Sequence, residues 1–115
     1  MGKAMNIQHK ELAGGRWAKM PLAEQMANIG SEVSRALNWQ KKGEKDLSRK
    51  ALYRALELID LTIIPIKKYS TLKELTRARE ALVDFFYGEN TFSSSEVLWR
   101  KYFDHFNFLA RKNHL

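Results

Sequence analysis

The 115-residue chain contains no cysteine. That absence excludes a disulfide framework, a thiolate zinc site and a cysteine nucleophile, and it fits a reducing compartment. Proline is nearly as scarce: the two present, Pro21 and Pro65, stand where one helix begins and another ends. No apolar run approaches the roughly 20 residues that a membrane span requires. The opening stretch MGKAMNIQHKELAGG also lacks the apolar core of a signal peptide. The expectation is a cytoplasmic protein with no membrane partner. Strand-like alternation bounded by turn residues is missing throughout, which points away from β-containing classes. A phosphate-cradling loop is missing too, because Ala13 to Gly15 neither follows a strand nor precedes the lysine such loops use.

Metal chemistry lacks its residues as well. Helical bundles hold paired metals with glutamates and Glu-x-x-His motifs on facing helices, and no such motif occurs here. His9 and His114 lie near the ends, and His105 stands next to Asp104, about 100° away around a helix, so the two do not share an ion in the usual way. Neither a metal nor a cofactor is expected. The serines gather at Ser70 and Ser93 to Ser95, where helix capping accounts for them without nucleophilic chemistry.

What the sequence does have is helical periodicity, and with 44% hydrophobic and 29% charged residues it is apolar enough to build one core. The first periodic segment runs from Pro21 to Lys42, with Leu22, Met26, Ile29, Val33, Ala36 and Leu37 on one stripe and Gly43 as its stop. A second covers Asp46 to Ile64 ahead of Pro65. Its apolar positions cover about half the circumference, as a central helix requires. The third begins where Thr71 and Glu74 have capping-box spacing and ends at Tyr87 before Gly88. The fourth begins where Ser93 and Glu96 repeat that spacing and continues to about Lys112. Short connections between such segments make antiparallel neighbours. The expected fold is therefore all-α: an antiparallel four-helix bundle formed by residues 21–115 as a single domain, preceded by an N-terminal arm, residues 1–20, that docks through Ile7, Leu12 and Trp17. The stretch WQKKGEKDLSRKALYRALELI also has tetratricopeptide-like spacing at Trp39, Gly43, Ala55 and Ile59. No second copy follows, and a helical hairpin within a bundle accounts for it.

Three features bear on function. The formal charge is +7, but the basic residues are dispersed, which serves solubility and leaves a polyanionic partner as the second reading. Arg79 falls inside the apolar stripe of the third helix, where a guanidinium needs a carboxylate; Glu32 is the first choice, with Glu57 and Asp60 also in position. Such a pair fixes helix register or forms a polar pocket between helices. In the fourth segment, LWRKYFDHFNFLARK, the core-facing side of Trp99, Phe103, Phe106 and Ala110 is extended by Leu98, Tyr102 and Leu109, while Phe108 points nearly opposite. One bundle cannot bury so wide an apolar arc. The expectation is a homodimer whose interface includes Leu98, Tyr102, His105 and Phe108.

Arg100 and His105 have the R-x-x-x-x-H spacing on the last helix of a small bundle, which resembles the signature of HEPN domains. That resemblance implies a metal-independent ribonuclease or a toxin–antitoxin component, with His105 as general acid or base and Arg100 stabilising the phosphorane. A broader resemblance spans ELAGGRWAKMPLAEQMANIGSEVSRALNW, ALELIDLTI, LKELTRAREALVDFFYG and WRKYFDHFNFLAR. These stretches look like a family of small prokaryotic α-helical proteins of unassigned function. The leading expectation is a non-catalytic helical interaction module with a basic surface that binds a protein or nucleic-acid partner. The HEPN-like enzyme is the alternative.

Overall fold

The computed structural model describes residues 15–112. Four helices follow in order: α1 (Leu22–Lys41), α2 (Lys45–Ile63), α3 (Tyr69–Tyr87) and α4 (Glu96–Lys112). No strand occurs among the described residues. The chain is an all-α four-helix bundle.

The helix ends differ in instructive ways from those the sequence implies. α1 stops as expected, because Gly43 adopts φ +77, a left-handed conformation in which a Cβ is disfavoured. α3 starts two residues ahead of Thr71, after Lys68, and has no side-chain cap, so the Thr71–Glu74 spacing lies inside its first two turns. At α4 the cap is Ser95 rather than Ser93: Ser95 Oγ accepts from the Leu98 N–H at 3.2 Å and its carbonyl from Trp99 N–H at 3.0 Å. Three consecutive serines offer chemically equal caps. Asn90 decides between them, since its side chain accepts from Ser94 N–H at 3.0 Å and donates to Ser94 O at 2.9 Å, leaving Ser95 next in line.

Helix directions follow from the registers of the cross-helix bonds. Along α2, Ser48 reaches Ala36 and Arg54 reaches Glu32, so α2 runs against α1. Along α4, Glu96 meets Lys41 and Arg100 meets Ser34 and Asn38, so α4 also runs against α1. α3 opposes α2, with Tyr53 beside Tyr87 and Asp60 beside Arg79. α1 is thus the shared helix. It packs on α2 and α4, and α2 packs on α3, while α3 and α4 lack a comparable backbone interface.

The core lies where these faces meet. Met26, Ile29, Val33 and Leu37 of α1 are buried against Ala55, Leu58 and Ile59 of α2, Leu75 and Leu82 of α3, and Trp99 and Phe103 of α4. Fully burying one such aliphatic side chain is worth about 1.5–3 kcal/mol. A second, smaller cluster of Ala36, Ala51 and Leu52 closes α1 on α2, and there Ser48 Oγ satisfies itself on Ala36 O at 2.8 Å. Ahead of α1, Trp17 belongs to the core. Its indole N–H donates to Thr62 Oγ1 at 3.0 Å, and its carbonyl accepts from Gln25 Nε2 at 2.8 Å. This is the docking expected of Trp17; Ile7 and Leu12 lie outside the described residues.

Gly30 sets how closely α4 approaches. A Cβ there would fall 2.7 Å from Phe103 Cβ and 2.9 Å from Phe103 Cγ. Gly30→Ala should therefore destabilise the protein even though alanine gains about 1 kcal/mol of intrinsic helix preference, because overpacking a fixed contact costs about 1–3 kcal/mol. Chemical denaturation measures this. A variant more stable than wild type would mean that α4 is not seated on Gly30.

Candidate functional site

The seam between α3 and α4 is where the bundle fails to close. A cavity of about 740 Å³ opens along it, floored by Ala78 and Ala81 of α3 and by Trp99 and Tyr102 of α4. Leu98 and Phe92 edge the opening, each 54% exposed. Two small residues one turn apart keep the α3 side shallow. The aromatic ring of Trp99 is held by Ser94, whose Oγ accepts its indole N–H at 3.1 Å.

Phe92 sits in the α3–α4 loop, and Asp84 holds that loop in place. Its carboxylate accepts from Thr91 N–H at 2.9 Å and Phe92 N–H at 3.0 Å, while its carbonyl accepts from Gly88 and Asn90. Asn90 and Ser93 both take φ +55, a left-handed conformation that asparagine tolerates better than most residues. The loop is thus bonded into one shape, and Phe92 projects from it at the seam.

One hydrogen bond crosses the seam. Tyr102 O–H donates to Glu74 Oε2 at 3.0 Å. Burial, together with the Glu74 charge, raises the phenol pKa well above its usual value, so the hydroxyl keeps its proton and the bond keeps its donor. Both residues also line a smaller cavity of about 280 Å³ with Leu22, Met26 and His105. The Tyr102–Glu74 bond therefore divides the seam into two compartments.

The structure separates Arg100 from His105. Arg100 turns toward α1: its Nε donates to Glu96 Oε2 on α4 itself, and its two terminal nitrogens donate to Ser34 Oγ and Asn38 Oδ1 on α1, each at 2.9 Å. Arg100, with Lys41 also nearby, holds the Glu96 carboxyl below the usual carboxylate range. Arg100 lines a cavity between α1 and α4, whereas His105 lines the smaller α3–α4 compartment beside Phe106. Five residues place two side chains about 140° apart on a helix, and here each side is taken by a different neighbour.

Arg79 is half-buried and paired, but not with Glu32. Its Nε donates to Asp60 Oδ1 at 2.7 Å and its Nη2 to Asp60 Oδ2 at 3.1 Å. Glu32, buried on α1, instead accepts from Arg54 at 3.2 Å and Arg35 at 3.1 Å. The correction is topological: α3 neighbours α2, so Glu32 on α1 lies across the bundle from Arg79. With the side chains of Arg79 and Asp60 36% and 53% exposed, water screens the pair to about 0–1 kcal/mol. It acts as a clip between helices and does not form a pocket.

Of the four residues expected at a dimer interface, Leu98, Tyr102 and His105 follow the seam with α3, while Phe108 is 56% exposed and lines neither of its cavities. Sequence reasoning overlooked Phe92, although an aromatic residue in a serine-rich turn is itself a signal. It also overlooked Ala78 and Ala81, whose small size on the third helix marks a face open to close approach. Among the described residues no cluster of histidines and carboxylates could hold a metal ion, and no helix is long and apolar enough to cross a membrane. No protein-family model, curated protein or solved structure matches the chain, so a functional reading rests on the chemistry of the seam itself.

Asp84 gives this site a pH signature. The Phe92 N–H, followed by the Thr91 N–H, holds its carboxyl below the usual range. A carboxyl whose folded pKa is depressed stabilises the fold above its unfolded pKa, and that contribution is lost as pH falls through the folded value. Asp84→Asn should lower the denaturation midpoint at neutral pH, and the gap from wild type should shrink as pH drops from about 5 to about 3. A gap that stays constant over that interval would show that the loop does not depend on the charge.

Proposed function

We propose that the chain is a non-catalytic helical interaction module that receives a segment of another protein in the α3–α4 seam. One observation carries this reading: an apolar cavity of about 740 Å³ lies open along a helix pair, with Phe92 and Leu98 exposed at its edge. A bundle that needed only to be stable would close that seam with larger residues than Ala78 and Ala81. Aromatic side chains fixed beside small ones form an anchor-and-pocket surface of the kind that dominates binding energy at interfaces.

The engagement of Arg100 supports the same reading. All three guanidinium nitrogens already have partners on α4 and α1, which suits a side chain that ties helices together. A ribonuclease would use it at a developing phosphorane next to a histidine.

The test has two arms. Anilinonaphthalene sulfonate, which fluoresces in apolar sites, should bind the wild type and lose its signal with Leu98→Asp, while circular dichroism stays unchanged. A labelled single-stranded RNA incubated in chelator should remain intact with wild type, Arg100→Ala and His105→Ala alike. Arg100→Ala should nevertheless lose about 1 kcal/mol of stability through its severed links to α1. Cleavage by the wild type alone, abolished by either substitution, would replace the docking reading with the enzymatic one.

A further inference from the structure

We infer that the occupant of the seam is an acidic amphipathic helix of a partner protein, about three turns long. The inference rests on the docking reading and adds the chemistry of the partner. The length comes from the groove, which runs on α3 from Ser70 to Ala81; eleven steps at 1.5 Å make about 16 Å, or three helical turns. A helix is favoured over an extended strand because the described residues offer no sheet edge for strand pairing. Ala78 and Ala81 admit its backbone to close range, and Phe92, Leu98 and Trp99 take its apolar side chains. Laid there, it covers the side of the bundle that α3 and α4 leave open.

The acidic character comes from the rim. Lys73 and Arg77 line the α3 edge of the cavity, and Lys101 stands on α4 three residues beyond Leu98, outside the lining; all three are exposed. None of them takes part in an ion pair among the described residues. Glu74, the carboxylate lining the same cavity, accepts the Tyr102 hydroxyl at the floor. Carboxylates on the outer flank of a docked helix would meet Lys73 and Arg77 on the α3 edge, with Lys101 beyond Leu98 on the α4 side, while its apolar stripe entered the groove. A second copy of this chain fits less well. It carries the same +7 charge, and groove-to-groove contact would set Lys73, Arg77 and Lys101 against their own counterparts. Nucleic acid would satisfy the cations but leave the apolar floor without a match, apart from base stacking on exposed rings.

The experiment measures fluorescence anisotropy with two designed peptides of about 14 residues that share one leucine and alanine stripe. One carries glutamates on its polar face and the other lysines. A single-stranded oligonucleotide of similar net charge to the acidic peptide is the third probe. The acidic peptide should bind at least tenfold more tightly than the basic one, more weakly as salt rises. Lys73→Glu with Arg77→Glu should cancel or invert that preference, and Leu98→Asp should abolish binding of both peptides. Circular dichroism and the denaturation midpoint establish that each variant is folded.

Equal binding of the two peptides, lost with Leu98→Asp, would overturn the acidic assignment and leave the docking module standing. No binding of either peptide, together with no dye signal, would overturn both. An oligonucleotide that binds more tightly than the acidic peptide and ignores Leu98→Asp would make the basic rim a nucleic-acid surface. Light scattering that returns twice the 13.4 kDa monomer mass, reverting to one copy with Leu98→Asp, would make the occupant a second copy of the chain.

Discussion

The absence of a side chain at Gly30 determines how the rest of the bundle is arranged. Phe103 of α4 lies against the α1 backbone at a distance that no larger residue permits, and this lets a helix late in the chain settle on the first one. Once α4 is committed to α1, its remaining links follow the same side: Arg100 to Ser34 and Asn38, and Glu96 to Lys41. The opposite side of α4, with Tyr102 and Leu98, faces α3 and reaches it through the Tyr102–Glu74 bond without a comparable backbone interface. The open seam is the geometric complement of the close contact.

α3 is correspondingly the least anchored helix. Its fully buried side chains are Leu75 and Leu82. Ala81, Phe85 and Phe86 pack partly buried against the core, and contacts near the surface add to its hold: the Asp60 clip at Arg79, the tilted ring pair of Tyr53 and Tyr87, and the Tyr102–Glu74 bond. Each is modest, since exposed ion pairs and isolated hydrogen bonds contribute about 0–1.5 kcal/mol.

Periodicity alone showed which residues face inward, because the apolar stripe of a helix is written in its spacing. Met26, Ile29, Val33, Ala36 and Leu37 are buried as one face of α1, while Leu22 at the start of the same stripe is exposed, and the short links make consecutive helices antiparallel. What periodicity cannot show is which helix each face meets. Glu32 was the expected partner of Arg79 because both flank apolar stripes, yet Glu32 is taken by Arg54 and Arg35, and the carboxylate within reach of Arg79 was Asp60 on α2. Capping was ambiguous for a related reason: in the Ser93 to Ser95 run the choice of cap depends on Asn90 and Asp84, whose side chains act through the folded loop. The seam was half legible. Leu98 and Tyr102 stood out as surplus apolar surface, whereas Ala78, Ala81, Lys73 and Arg77 acquire meaning only once α3 is known to stop short of α4.

The pairing of α4 with α1, across the whole span of α2 and α3, also orders the assembly of the chain. α1 with α2, and α2 with α3, are hairpins that close over short loops and can form as soon as each helix leaves the ribosome. The α1–α4 contact must close a loop of more than fifty residues, an entropic cost that grows slowly with length but comes last. Until then the Gly30 face of α1 lacks the Phe103 side chain that covers it. In any chain not yet extended through α4 that flank meets solvent, and the arrival of α4 removes that exposure.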